Sequence, residues 1–511
     1  MEFKDLISSL NLIRLLPEGI VTILLVFILL IDLTFQKRVL SWLLYIPLVG
    51  LVCSMVVLLR QWGSQDTLSF LGSFQGDSLS IAFRFFILLS AVLCILLSKE
   101  YVERSRTALT EFFVLLLTAV IGGMLLSGAN DLIMIFLSLE TLGLSSYLLT
   151  GYMKKDLRSN EAAIKYLLIG AASSSILLYG LSLLYGLSGG AIEISTIAKN
   201  IVDKGLSQSF ASWVALIFIT VGIGFKVAAA PFHQWAPDVY EGSPTPVVAF
   251  LSVGSKAAGL ALATRILTTL FPYLTNEWHL LFQVLASLSM ILGNLIAISQ
   301  TSMKRMLGYS SVSQAGFLMI GLIAGNPNGY SSMLVYMLLY IFMNLGAFAC
   351  IILFGLKAGT DQIRDYAGLY RKDPFLVFCF SISLLSLGGI PPLAGFFGKL
   401  YLFWSGWQSG FYILVFIGLF TSVISIYYYL RVIKVMIVTE PQEMSIYVQR
   451  YTQRRWSITQ LQPIELGIGL CVLGSVLAGV LVNPIINIAQ QTVLYTPLLQ
   501  QSEELMRTLT F

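Results

Sequence analysis

Long apolar runs separated by short polar stretches make up most of the 511-residue chain. The runs are about 20 to 27 residues long, the length an α-helix needs to cross a bilayer. They lack the short alternation of apolar and polar positions that marks a membrane β-barrel. The pattern predicts fourteen spans, near 17–36, 39–59, 78–98, 110–128, 131–152, 161–187, 210–236, 246–270, 279–299, 303–324, 331–356, 374–408, 411–438 and 463–487. The expected fold class is therefore all-α, a polytopic membrane protein of about fourteen transmembrane helices. The seventh and twelfth spans are long and interrupted, one by Pro231 and Pro237, the other by LSLGGIPPLAGFFGKL with Pro391 and Pro392. The longest polar connection, about 439–462, is too short for an independent domain. The first apolar run, Ile20 to Leu33, continues directly into further spans, so no cleavable signal is expected.

Composition agrees with this reading. The chain is 57% hydrophobic and 11% charged, with a mean hydropathy of +0.84; soluble globular proteins carry roughly 25% charged residues. The five cysteines (Cys53, Cys94, Cys350, Cys379, Cys471) stand alone within apolar segments with no CxxC spacing, so neither an iron–sulfur cluster nor a zinc site is expected. No GxGxxG follows a predicted strand and no P-loop is present, so no NADH, flavin or ATP site is expected either. Redox or ATP-driven chemistry would then fall to another subunit.

The charges are distributed unevenly. Seventeen lysines and arginines, from Lys37 and Arg38 to Arg454 and Arg455, lie in loops after odd-numbered spans, and Arg431 and Lys434 lie at the same end. The even-numbered loops and the termini hold only Lys4, Arg14, Arg60, Lys199, Lys204 and Arg507. By the positive-inside rule the odd loops face the cytoplasm or its organellar equivalent, and both termini face the other side. This asymmetry accounts for the formal charge of +5 and gives no reason to expect nucleic acid.

Six basic residues remain inside spans, namely Arg84, Lys165, Lys226, Lys256, Arg265 and Lys399, and one acid, Glu140, lies near the middle of the fifth. A charge at the bilayer centre costs about 2.5–3.5 kcal/mol on insertion scales, so these positions are functional candidates. Glu140 reads as a proton-relay carboxylate or as half of a buried ion pair. Lys226 stands in VGIGFKVAAAPFHQWAPDVYEGSPTP, five residues before Pro231. Burial disfavours a charged lysine and a nearby carboxylate favours it, so Glu140 and Lys226 together would form a switchable proton store if they meet. A mid-helix proline frees backbone carbonyls, which a membrane tolerates only in a protein-lined or wet place. Two such breaks in two halves of a chain point to a conduction region. His233, just past the first break, reads as a relay or as a hydrogen-bonded structural histidine. Lys256 lies too deep to snorkel; for Lys165 snorkelling and function compete. Arg84, Arg265 and His279 read as residues of the interface.

NEAAIKYLLIGAASSSILLYGLSLLYGLSGG (Asn160–Gly190), GFKVAAAPFHQWAPDVYEGSPTPVVAFLSVGSKAAG (Gly224–Gly259), SMKRMLGYSSVSQAG and SLGGIPPLAGFFGKLYLF resemble the antiporter-like subunits of respiratory complex I. Within that family, DVYEGSPTPVVAFLSV, the segments GNLIAI and QTSMKRML flanking Ser299, and DQIRDYAGLYRKDPF are similar to the subunit 2 type of cyanobacteria and chloroplasts. The likeness is strong over about residues 100–440 and looser outside them. It implies two inverted five-helix repeats with broken helices 7 and 12. The corresponding division is 1–109 (first three helices), 110–275 (first repeat), 276–438 (second repeat) and 439–511 (loop, last helix and tail). It also implies proton-path residues at Glu140, Lys226, Lys256 and Lys399, with Lys165 in support and His233 in the helix-7 break. The implied setting is a photosynthetic complex in the thylakoid membrane. Plastoquinone, iron–sulfur clusters and the electron-donor site would lie in other subunits, and further antiporter-like subunits and lipids would be partners. Lys226 precedes its break whereas Lys399 follows its own, so the direction of proton transfer does not carry over. A redox-independent cation/proton antiporter subunit and a purely structural helical scaffold are the alternatives.

Overall fold

The computed structural model describes residues 11–34, 41–63, 67–105, 107–437, 446–449, 451 and 462–494. Among these, twelve helices are long and apolar enough to cross a membrane, and Tyr45–Arg60 and Pro374–Gly388 are shorter apolar helices. The first repeat-sized stretch of the chain is preceded by α1 (Leu16–Thr34), α2 (Tyr45–Arg60) and α3 (Ser78–Ser105). Next come α4 (Leu109–Gly128), α5 (Leu132–Thr150), α6 (Leu157–Ser188), α7 (Ile194–Asp203), α8 (Phe210–Val227), α9 (Trp235–Gly242), α10 (Thr245–Phe250) and α11 (Lys256–Leu270). Then follow α12 (Thr275–Ser299), α13 (Met303–Ala324), α14 (Pro327–Ala358), α15 (Pro374–Gly388), α16 (Ala394–Gln408) and α17 (Tyr412–Ile437). The chain closes with α18 (Ile446–Gln449), α19 (Pro463–Val480) and α20 (Val482–Leu494).

Helix starts follow local chemistry. Asp131, Asp156, Ser209, Asn326 and Asp373 each accept a backbone N–H at the first turn of α5, α6, α8, α14 and α15, which satisfies donors the helix leaves unpaired. Membrane helices then pack through small residues. A Cβ on Gly122 of α4 would lie 2.5 Å from the Leu142 backbone N of α5, and one on Gly293 of α12 would lie 2.8 Å from the Ser313 backbone N of α13. Glycine is thus what lets each pair touch backbone to backbone. The layers differ in burial: the apolar stretch of Thr245–Leu270 is wholly buried and that of Met303–Ala324 is 94% buried, against 39% in α6 and in α17. The centre of the bundle is therefore α10, α11, α13 and α14.

Some elements lie wholly or partly outside the predicted spans. α7 is too short to cross a membrane; Ile194, Ile197, Ala198 and Ile201 recur at helical spacing and bury one face. A hairpin pairs β1 (Thr67–Ser69) with β2 (Phe74–Gly76), antiparallel with Leu68 opposite Gln75. α20 follows the last span almost without a gap.

Arg84 and Arg265 are not interface anchors. Arg84 is fully buried and pairs with Glu18 of α1 at 3.1 Å, with the Arg14 carbonyl also accepting from it. Arg265 makes a two-pronged pair with Asp77 at 2.9 and 3.0 Å, and Gln75 accepts from it at 2.8 Å. Both acids lie at the start of helices far away in sequence, so spacing could not reveal the pairing. Both termini, and Lys4, Lys37, Arg38, Arg106, Arg450, Arg454, Arg455 and Arg507 used in the charge argument, lie outside the described residues.

Candidate functional site

The chain stops being helical at Val227. Ala228 takes a left-handed conformation (φ 61°, ψ 45°), a region a non-glycine residue seldom enters. The Ala228 and Ala229 N–H groups turn back onto the Phe225 and Gly224 carbonyls. The Trp235 indole, at the start of α9, also reaches back across the gap and donates to the Phe225 carbonyl at 3.2 Å. Ser289 of α12 accepts the Ala230 N–H at 2.8 Å. The break is thus held open by its own residues and a neighbour. Lys226 sits in the last turn of α8, where the helix dipole favours a cation. It is only 4% exposed, and its Nζ has no hydrogen-bond partner among the described residues.

The second break is built differently. α15 ends at Gly388, Gly389 is left-handed (φ 85°), and α16 starts at Ala394. The freed carbonyls of Leu387 and Gly388 accept Lys399 Nζ at 2.9 and 3.2 Å. Lys399 also stands over the Phe317 ring at 5.0 Å, a favourable cation–π placement. Trp235 caps the first break and the lysine itself caps the second, which follows from Lys226 preceding its break and Lys399 following its own.

Between the breaks run α11 and α13. A π-helical turn, Leu251–Ser255, directly precedes Lys256; such turns are frequent at functional sites. Asn344 of α14 donates to Ser252 in that turn at 2.6 Å. Lys256, 1% exposed, donates to the Ser311 carbonyl of α13. One helical turn further along α13, Gln314 Nε2 donates at 3.4 Å to the Leu387 carbonyl that Lys399 also uses, and Gln314 Oε1 accepts from the Tyr336 hydroxyl. One turn of α13 therefore links Lys256 to Lys399.

Glu140 lies on α5 one turn before the point where that helix meets Lys226. A Cβ on Gly143, one turn after Glu140, would lie 3.4 Å from Lys226 Nζ and 3.3 Å from the Tyr147 hydroxyl. Glu140 itself is only partly buried. His233 lies in the first break, buried, with its Nδ1 unpartnered among the described residues and its ring 6.3 Å from that of Tyr309.

Lys165 belongs elsewhere. Its side chain is 42% exposed and pairs with Glu161 at 2.7 Å and Asp238 at 3.1 Å. Arg305 joins the group through Asp238 and Glu241. Together they line a cleft of about 260 Å³ at the end of the bundle that carries the basic loops. Asp238 and Glu241 are thus partners of cations in this cleft.

Sequence reasoning missed Gln314, Tyr336, Tyr147 and Asn344, because neutral polar side chains are common in spans. One signal was available: Met303–Ala324, with its SSVSQ run, is the least apolar of the twelve long helices and yet among the most buried. That combination marks a polar core.

The chain is similar to known proteins over its whole length. Residues 129–425 match the family model described as NADH:quinone oxidoreductase/Mrp antiporter, TM, and residues 4–100 match that of the NAD(P)H-quinone oxidoreductase subunit 2 N-terminal region. The chain is 67% identical over 494 residues to the chloroplastic NAD(P)H-quinone oxidoreductase subunit 2 of Mesostigma viride, covering 97% of this chain and 98% of that one. It is 58% identical over 503 residues to subunit 2 of Trichormus variabilis, covering 98% and 97%. A chain of respiratory complex I from Thermus thermophilus superposes with a TM-score of 0.75 at 29% identity, covering 93% of this chain and 99% of that one.

Proposed function

Because the chain belongs to the NAD(P)H-quinone oxidoreductase subunit 2 family of multi-pass membrane proteins, we propose that it translocates protons in the membrane arm of a photosynthetic complex I-type NDH-1 assembly. Electron transfer to plastoquinone in other subunits drives it, in a thylakoid membrane, a setting that the chloroplastic relatives support. Iron–sulfur clusters, quinone and donor site belong in this reading to those other subunits, and further antiporter-like subunits flank this one. Counting α2 and the α15–α16 pair as crossings gives fourteen, with 110–275 and 276–438 as the two inverted repeats.

The observation that carries the reading is the row of three buried lysines, Lys226, Lys256 and Lys399, with Glu140 at one end. Each ammonium in so dry a place is poised between keeping and releasing its proton, and a neighbouring charge tips the balance. Protonating or displacing the Glu140 carboxylate removes the charge that holds the proton on Lys226. That proton then moves to Lys256, and the Ser311–Gln314 turn hands the change on to Lys399. His233 serves the break beside Lys226, and Lys165 serves the entry cleft.

The test is proton uptake by sealed vesicles carrying the whole complex, with donor and plastoquinone supplied together or singly, in wild type and in an assembled Lys256→Ala variant. Uptake is expected only with both reagents and to be lost in the variant. Uptake that needs neither reagent would favour the antiporter reading, which the family model also embraces.

A further inference from the structure

We propose that an anionic diacyl lipid occupies a fixed site on the outside of the bundle, with one acyl chain between α12 and α17 and its headgroup on Arg431 and Lys434. The two helices leave an open groove of about 210 Å³ between them; an apolar cavity of about 150 Å³ already takes a benzene ring. Ile291 and Leu295 of α12 form one wall, and Phe416, Phe420 and Ile424 of α17 form the other. Thr421 lines the groove too, but its hydroxyl donates to the Ile417 carbonyl of its own helix at 2.8 Å. Such a lining suits hydrocarbon and would penalise a polar group.

A cationic head stands over this apolar slot, at the end of the bundle that carries the basic loops. Arg431 lies seven residues beyond Ile424, about 10 Å along the helix axis. Lys434 follows one turn later on the same face, and both residues are exposed. Arg431 Nη1 donates at 3.0 Å to the Ile298 carbonyl in the last turn of α12, where helix carbonyls lack partners of their own. The guanidinium is therefore held across the head of the groove, bridging the two helices that form its walls. That bond uses one of five N–H donors, and the guanidinium fork matches the oxygens of a phosphate.

Length and charge together select the occupant. From Phe416 to Ile424 the groove runs about 12 Å, whereas the seam for a crossing helix of another subunit runs about 30 Å. A single acyl chain fits that shorter slot. A neutral lipid would fill the groove and leave both cations unmatched. An anionic lipid satisfies both ends at once, because its charge sits at the helix end and its chain descends beside Ile424 and Leu295.

Lipid also coats every exposed membrane helix without selection, and the experiment must separate a site from that coat. The whole complex is placed in phosphatidylcholine nanodiscs containing a trace of phosphatidylglycerol, or of phosphatidylcholine, with a diazirine on one acyl chain, and labelled peptides are mapped by mass spectrometry. The phosphatidylglycerol probe is expected to label 291–295 and 416–424 saturably, and the phosphatidylcholine probe only in proportion to its bulk amount. In Arg431→Gln/Lys434→Gln the half-saturating fraction of phosphatidylglycerol should rise about 25-fold, about fivefold for each cation removed. Leu295→Trp, which plugs the groove from an exposed position and keeps both cations, should lose the groove label. Equal labelling by both probes, or saturation unmoved by the double variant, would mean bulk lipid only and overturn the site. A groove that neither probe labels, while other exposed helices of this chain are labelled, would be covered by a neighbouring subunit, and the lipid site would fail. If the double variant does not assemble, the wild-type comparison of the two probes and Leu295→Trp decide.

Discussion

Replacing Lys226 by methionine removes an ammonium and leaves an unbranched side chain of similar length in the same space. Lys226 is 4% exposed with no hydrogen-bond partner for Nζ among the described residues, and its stem packs on α11, where a Cβ on Gly259 would be 3.3 Å from Lys226 Cβ. An unpaired buried polar group costs about 1–3 kcal/mol, and a buried charge costs more. Methionine keeps the packing and removes that cost, so the assembled complex should be equally stable or more stable by about 1–3 kcal/mol. Alanine would be a poorer probe, since emptying the stem's space would itself cost about 2–5 kcal/mol and mix a packing defect with the loss of function. Thermal dissociation of the purified complex and donor-driven proton uptake in vesicles would be read side by side. Stability should hold or rise, while uptake falls at least about tenfold. A drop in stability with unchanged uptake would refute the reasoning and make Lys226 a structural counter-ion.

Asp77→Ala strands the buried Arg265 guanidinium and removes the acceptor of the Ser80 N–H at 2.8 Å. A loss of about 3–5 kcal/mol is expected for the broken pair and about 1 kcal/mol for the cap, read as loss of assembled complex on native gels; Asp77→Leu with Arg265→Leu should recover part of it. Lys165→Ala breaks only half-exposed pairs, each worth about 0.2–1 kcal/mol, so uptake should fall much less than for Lys226→Met; an equal fall would place Lys165 on the main path. Gly395→Ala should abolish assembly, because its Cβ would be 1.7 Å from the Ser386 carbonyl oxygen, whereas Gly186→Ala, with nothing within 4 Å, should be tolerated.

Lys226, Lys256, Lys399 and Glu140 were legible because each is an isolated charge in a long apolar run, and Pro231 and Pro391–Pro392 marked the interruptions beside two of them. Lys165 was ambiguous because, about one turn into its predicted span, a long side chain can reach either the core or the rim, and it reaches the rim. Arg84 and Arg265 looked the same as anchors until Glu18 and Asp77 were found against them. Gln314 and Tyr336 carry no charge, so nothing in a one-dimensional reading separates them from the many other polar residues of the spans.

The sequence by itself determined the helical membrane architecture, its breaks and the buried lysines. Lipid acts as a nearly uniform solvent, so helix length and the cost of each charge are read locally along the chain. Only the tertiary structure decided that Trp235 caps the first break, that Lys399 caps the second, and that one turn of α13 joins Lys256 to Lys399. Those contacts depend on how each helix is rotated about its axis and how closely its small residues let a neighbour approach, and that is settled by packing among elements distant in sequence.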